Sequence, residues 1–146
     1  MSSKVQIKRM ASEVAATLVD AFYEQEGKNH RANPGDLFFV AYLDNKVVGV
    51  CRFCIEENTP LLRSMIVQAD LRAQKIGAKI LESFESYLTE NNIGPTYCIP
   101  YDHLEKFYSL IGFKIIREEE SPVFLQERIG KYRASNVERF MMMKRD

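Results

Sequence analysis

Leu37 to Leu43 and Lys46 to Ile55 are two strand-forming runs with only Asp44-Asn45 between them. Two turn-forming residues between β-rich runs predict an antiparallel hairpin. Leu61 to Val67 adds another strand, so the middle of the chain is read as sheet. A sheet must bury its apolar side chains against another layer, and the flanking sequence offers amphipathic helices to do so. Val14, Leu18 and Phe22 form an apolar stripe behind Ser12, which is predicted to be a helix N-cap. Ile76, Ile80, Leu81, Phe84 and Leu88 form a second stripe, with Lys79, Glu82 and Glu85 on other faces. That helix is predicted to stop near Asn91-Asn92-Ile93-Gly94-Pro95.

Around this centre, Val5 and Ile7 suggest a short first strand, and Gly27 to Asp36 is rich in loop formers. Thr96 to Ile99 reads as a strand broken by Pro100, and Leu104, Phe107, Tyr108 and Ile111 mark a helix ending at Gly112. Phe113 to Ile116 then begins a strand. After the acidic run Glu118-Glu119-Glu120, the residues Phe124, Leu125, Ile129 and Tyr132 suggest a further amphipathic segment between Ser121 and Asn136, followed by a final strand from Arg139 to Met143. The order predicts an α/β layered fold with helices on a mostly antiparallel sheet. With 146 residues, 46% hydrophobic content, no internal repeat and short linkers, a single domain over 1–146 is expected.

Composition narrows the function. Twenty basic residues balance twenty acidic ones, so no overall electrostatic footprint for nucleic acid or an anionic membrane is expected. The start of the chain, Met1 to Ile7, has no apolar h-region, and no apolar run reaches the ~18–20 residues of a membrane span; a soluble cytoplasmic protein is the expectation. Cys51, Cys54 and Cys98 are too few and too scattered for a disulfide framework. Cys51-Arg52-Phe53-Cys54 has the Cys-x-x-Cys spacing, but in a strand these two thiols point to opposite faces, so buried free thiols and no metal are expected. Phosphate-binding, dinucleotide-binding, zinc-hydrolase and nucleophile-elbow signatures are absent.

The segment Ile66 to Leu81 carries the chemistry. An apolar strand ends, a short polar turn follows and a helix begins, and the unpaired N–H groups of a helix's first turn favour an anion such as phosphate. Gly77, without a Cβ, permits close approach of a ligand or a neighbouring strand. Arg72-Ala73-Gln74-Lys75-Ile76-Gly77-Ala78 resembles the acyl-CoA-binding motif of the GNAT superfamily of N-acetyltransferases, Arg/Gln-x-x-Gly-x-Gly/Ala, with Lys75 in place of the earlier glycine. Downstream, Tyr108-Ser109-Leu110-Ile111-Gly112-Phe113 resembles the family's Tyr-x-x-x-Gly-Phe element, and the element order resembles the GNAT fold over nearly the full length, least so from Ser121 to Asn136.

The resemblance implies a GNAT-like mixed, mostly antiparallel central sheet with helices on both faces. It implies transfer of an acetyl group from acetyl-CoA to a primary amine by direct attack on the thioester, without a covalent enzyme intermediate or a metal. The pyrophosphate would lie over the backbone amides of Arg72, Ala73, Gln74, Lys75, Ile76, Gly77 and Ala78. The pantetheine arm would pair with the amides of Ile66 and Val67, with Val67 polarising the thioester carbonyl, and the Tyr108 hydroxyl would protonate the departing thiolate. Tyr101 occupies the position where many members carry an asparagine that holds pantetheine; its hydroxyl is the candidate replacement. Asp102, beside it, is read as a helix cap.

The acceptor side is less legible. Tyr23 and His30 are candidates to line it, and Glu56, Glu57 and His30 are candidate bases with no clear preference among them. A small-molecule or peptide amine is expected as acceptor, with no nucleic acid or membrane partner, in a monomer or homodimer. Met141-Met142-Met143 and the segment from Ser121 to Asn136 are candidates for an interface. Two alternatives stay open: a catalytically silent CoA-binding regulatory or interaction module, and a structural protein in which the Arg72 turn binds nothing.

Overall fold

A computed structural model describes residues 4–146; Met1 to Ser3 lie outside the described residues. Seven strands form one sheet: β1 (Val5–Ala11), β2 (Leu37–Leu43), β3 (Lys46–Glu56), β4 (Thr59–Val67), β5 (Thr96–Cys98), β6 (Lys114–Ile115) and β7 (Met143–Arg145). Their spatial order is β1-β2-β3-β4-β5-β7-β6, and every pairing is antiparallel except β4 with β5. Four helices accompany them: α1 (Ser12–Gln25), α2 (Ile76–Glu90), α3 (Glu105–Ser109) and α4 (Val123–Ser135).

The β2–β3 turn follows from its sequence. Asp44 and Asn45 both take left-handed backbone, φ 51° and 63°, the type I′ geometry whose twist matches that of a two-residue hairpin. Glu57 and Asn58 do the same, at 48° and 61°, between β3 and β4. The sequence marks that second turn poorly, because glutamate is seldom chosen for positive φ.

Helices cover both faces of the sheet. Phe38, Val40 and Val50 pack with Ala15, Val19, Phe22 and Tyr23 of α1. The alternate residues Phe39, Ala41, Cys51 and Phe53 pack with Ile80, Leu81, Phe84 and Leu88 of α2. The centre of β2 and β3 is therefore buried on both sides, which explains why these strands read as nearly continuous apolar runs. α4 lays Leu125 and Ile129 against Cys54, Leu61, Tyr97 and Met142. Cys51 and Cys54 thus join different clusters on opposite faces, and all three cysteines are free and buried. Burial pushes the Cys54 thiol up to about 12.

Several local expectations are corrected. Ser12 is the first residue of α1, not its cap; Ala11 holds the cap position and no side chain bonds the helix start. Asp102 opens a 3-10 turn over Asp102–Leu104, with Tyr101 before it in extended backbone. The final strand is displaced toward the C-terminus: Met143–Arg145 pairs with β5 and β6, while Phe140 makes one isolated bridge to Tyr101. The chain there is tied to Pro100 and Asp102 by single bonds, Met141 N–H to Pro100 O at 3.0 Å and Asp102 N–H to Arg139 O at 2.9 Å. Phe113 to Ile116 contributes only Lys114–Ile115 to the sheet.

Candidate active site

The site begins where two strands part. β4 and β5 are registered at Leu61 and Tyr97 alone, so the remainder of β4 has no strand neighbour on that side. A bulge in β4 shapes the opening. The β3–β4 register shifts by one residue between Val50 and Arg52, and Ser64 stands opposite that step with φ 56°, left-handed backbone inside a strand. The Tyr23 hydroxyl donates a 2.8 Å hydrogen bond to the Ser64 carbonyl. Tyr23 is itself fully buried, with Arg52 5.8 Å over its ring. Arg52 is fixed in turn by a buried ion pair with Asp36 at 2.8 Å. Tyr23 therefore shapes the strand from behind and does not line the cavity, contrary to its expected place at the acceptor.

Beyond the bulge, Gln68 N–H donates to Val48 O at 2.8 Å, and Val50 pairs with Ile66 in the same register. Antiparallel ladders alternate hydrogen-bonded with non-bonded pairs. Ile66 accordingly turns its amide toward β3, whereas Val67, opposite Gly49, turns its own toward the open side. Of the two adjacent amides named from the sequence, that of Val67 faces the gap.

At the end of β4 the predicted turn is a 3-10 helix, Ala69–Gln74. Lys75 follows in left-handed backbone, φ 60° and ψ 22°, and α2 starts at Ile76 without a side-chain cap. The first-turn amides of Ile76, Gly77 and Ala78 are thus left for a ligand or water. Arg72 is exposed and donates through Nε to Val67 O at 3.2 Å, joining the turn to the strand end. The side chains of Ala73 and Gln74 lie outside the described residues. Gly77 is buried, and its close neighbour is the ring of Phe107.

A cavity of about 290 Å³ occupies the gap. Tyr108 lines it, nearly fully buried beside Phe107 and Phe113. Burial first, then Cys98 and Cys51, push its hydroxyl well above the ordinary phenol value. That keeps the proton on Tyr108 at neutral pH. Tyr101 also lines the cavity, its ring stacked on His103 at 5.6 Å and tilted against Phe140 at 5.0 Å. His30 reaches the opposite side, edge-on to Tyr23 at 5.1 Å. Burial, then the charges of Arg52, Arg63 and Lys28, lower its pKa, so its ring is neutral at pH 7.

Glu56 makes a poor base. Burial works to raise its pKa, but hydrogen bonds and charge from Arg128 and Arg63 outweigh it and hold the carboxyl below its ordinary value. Arg128 donates to it at 2.6 and 3.2 Å, and Arg63 at 2.9 Å. Among the described residues no group of three His, Cys, Asp or Glu side chains could hold a metal ion. No described helix is long and apolar enough to cross a membrane.

Sequence reasoning missed the wall that α4 builds. Leu125, Arg128, Tyr132 and Asn136 all line the cavity. Their spacing of three and four residues puts them on one helical face, a signal obscured because that face mixes apolar and polar side chains.

An open mixed sheet thus parts between β4 and β5, with an uncapped helix beside the parting. Residues 6–123 match the family model described as an acetyltransferase (GNAT) domain, and the chain belongs to this family. Its fold is similar to that of an acetyltransferase of the GNAT family from Staphylococcus aureus Mu50, at 19% identity over 97% of this chain and 98% of that one, with a TM-score of 0.64. It is also similar to the ribosomal-protein-S18-alanine N-acetyltransferase of Escherichia coli, at 14% identity over 97% and 93%, TM-score 0.70. N-acetylglutamate synthase from Neisseria gonorrhoeae, solved with coenzyme A and N-acetyl-glutamate, matches at 16% identity over 99% of this chain and 35% of its own, TM-score 0.68. No curated protein matches in sequence.

Proposed function

We propose that this protein is a single-domain enzyme that transfers an acetyl group from acetyl-CoA to a primary amine within one ternary complex. The observation that carries the reading is the open side of β4, where the Val67 amide turns away from β3 and the preceding residues Met65 and Ile66 line the cavity that Tyr108 also lines. The donor's pantetheine arm lies along the open side of β4, taking its hydrogen bonds from the strand position that β5 vacates. Its pyrophosphate lies at the uncapped start of α2, where backbone N–H groups and the Arg72 and Lys75 charges favour an anion. A neighbouring fold from Bacillus anthracis, an acetyltransferase solved in complex with acetyl coenzyme A, supports the donor's identity.

As the amine attacks, the N–C bond forms and negative charge grows on the carbonyl oxygen, where the Val67 N–H stabilises it. The C–S bond then breaks, Tyr108 gives its proton to the sulfur, and the amine proton leaves to solvent. Tyr108 is restored by proton exchange. Burial keeps the proton on Tyr108 at neutral pH but makes it a weaker acid than an ordinary phenol, so the transfer accompanies C–S cleavage and does not precede it. The test is thiol release across an amine panel with wild type and Tyr108→Phe. The variant is expected to keep its acetyl-CoA affinity while kcat falls ~100-fold; equal turnover at saturation removes Tyr108 from the mechanism.

A further inference from the structure

We infer that the acceptor is an amine that also carries a carboxylate, an amino acid or the acidic end of a peptide, held by Arg63, Arg128 and Lys28 in the cavity. The inference rests on the acetyl-transfer reading and names the substrate class of the same site.

The charge inventory of the cavity carries it. Arg63 comes from β4, Arg128 from α4 and Lys28 from the loop after α1, and all three line the cavity. No carboxylate lines it among the described residues. The nearest acid, Glu56, is shared between the two guanidiniums, at 2.9 Å from Arg63 and 2.6 Å from Arg128. One carboxylate therefore answers two arginines, and Lys28 adds a further positive charge. Both guanidiniums are largely shielded from water, their side chains 32% and 21% exposed, so solvent screens the excess weakly. His30 registers the same field, since Arg52, Arg63 and Lys28 all lower its pKa after burial has done so.

Such a cavity selects by charge. A polyamine or a basic peptide would bring like charge into a shielded, positive space, whereas a carboxylate gains charge-assisted hydrogen bonds from guanidiniums that Glu56 has already oriented. The field also acts on the reacting group. Positive neighbours disfavour an ammonium ion, so a bound amine loses its proton more readily while its carboxylate anchors the molecule. This relieves the need for a strong base, and the site offers none.

The experiment compares each acceptor with its carboxyl-free partner: the standard amino acids, their amides and the corresponding decarboxylated amines, with acetyl-CoA and thiol release as readout. Binding of the same ligands to the CoA complex is measured by calorimetry, in wild type and Arg128→Gln. Carboxylate forms are expected to exceed their partners at least about tenfold in kcat/KM. Arg128→Gln is expected to erase that margin and leave CoA affinity unchanged. Free amino acids and peptides with acidic residues near the N-terminus form separate arms that identify the source of the carboxylate. Turnover that favours the carboxyl-free amines overturns the inference and leaves acetyl transfer standing. Arg128-dependent carboxylate binding without any turnover upholds the anion site and overturns acetyl transfer. A carboxylate preference that survives in Arg128→Gln also overturns the inference, and neither binding nor turnover overturns both.

Discussion

Gly77 turns its Cβ-less face onto the ring of Phe107, so that a Cβ built there would stand 2.9 Å from Cζ and 3.1 Å from Cε1. The glycine belongs to the turn that follows Arg72, and Phe107 directly precedes Tyr108, so the two motifs are one packed unit. The sequence suggested a glycine left bare for ligand or strand; the neighbour is instead an aromatic ring of α3.

That contact predicts the effect of Gly77→Ala. Alanine is favoured over glycine in a helix by about 1 kcal/mol, but overpacking against Phe107 costs about 1–3 kcal/mol. The expected sum is a loss of up to about 2 kcal/mol, with a fall in kcat as the neighbouring Tyr108 is displaced. In a Phe107→Leu background the steric cost disappears, and Gly77→Ala should become neutral or stabilising. Urea unfolding of the four proteins in this cycle measures the coupling; a purely additive cycle refutes it.

Tyr23→Phe tests the bulge. The substitution keeps the buried ring and deletes the hydrogen bond to Ser64 O, at an expected cost of about 1–2 kcal/mol in stability. Because Tyr23 lies behind the strand and outside the cavity, CoA affinity should fall without any change in the pH profile of kcat. Unaltered unfolding and unaltered CoA calorimetry together would mean that Ser64 holds its left-handed backbone without this bond.

Much of the fold was legible because it is written in local patterns. Asp44-Asn45 names its own turn type, and the stripe from Ile76 to Leu88 has the period of a helix with one buried face. The site was only half legible for a corresponding reason. Tyr108 and the Arg72 turn are contiguous motifs, whereas the cavity wall joins Lys28, Arg63 and Arg128 from three distant segments, and no spacing along the chain records that meeting. The sequence offered both the Ile66 and Val67 amides to the donor; that Ile66 turns its own toward β3 was hidden, since it depends on which pairs of the β3–β4 ladder are bonded. Tyr23 misled because burial and a backbone acceptor are properties of the packed structure.

Lys75→Gly separates two effects of one residue. A non-glycine residue in left-handed backbone costs roughly 1–2 kcal/mol, and glycine returns about 0.5–1 kcal/mol of that as unfolded-state entropy. The variant is therefore expected to be more stable by up to about 1.5 kcal/mol. If Lys75 contacts the pyrophosphate, CoA should bind several-fold more weakly despite the gain in stability, and more so at low salt. Thermal unfolding with CoA titrations at two ionic strengths checks both. Unchanged affinity would leave the backbone amides of α2 as the anion's partners without Lys75.

Glu56 ties the end of β3 to Arg63 of β4 and Arg128 of α4, so its charge state sets how firmly α4 closes the cavity. Its folded-state pKa lies below the ordinary 4.5, because the arginine bonds and charges outweigh a burial effect that alone would raise it. Below that ordinary value the unfolded chain binds a proton more readily than the folded one. The stability Glu56 contributes is accordingly full above 4.5 and lost as pH falls through 4.5 toward the lower folded value. Glu56→Gln is expected to cost about 1–3 kcal/mol at neutral pH, where it removes charged acceptors from two guanidiniums. As pH falls below 4.5 the variant and wild type should approach one another, since protonation removes the same charge from the wild type. Glu90 and Glu118 are also held low by their arginine partners, so the wild-type slope alone is ambiguous. The difference between the two proteins isolates Glu56, and a gap that stays constant from pH 7 to pH 3 would show that its carboxyl is not depressed.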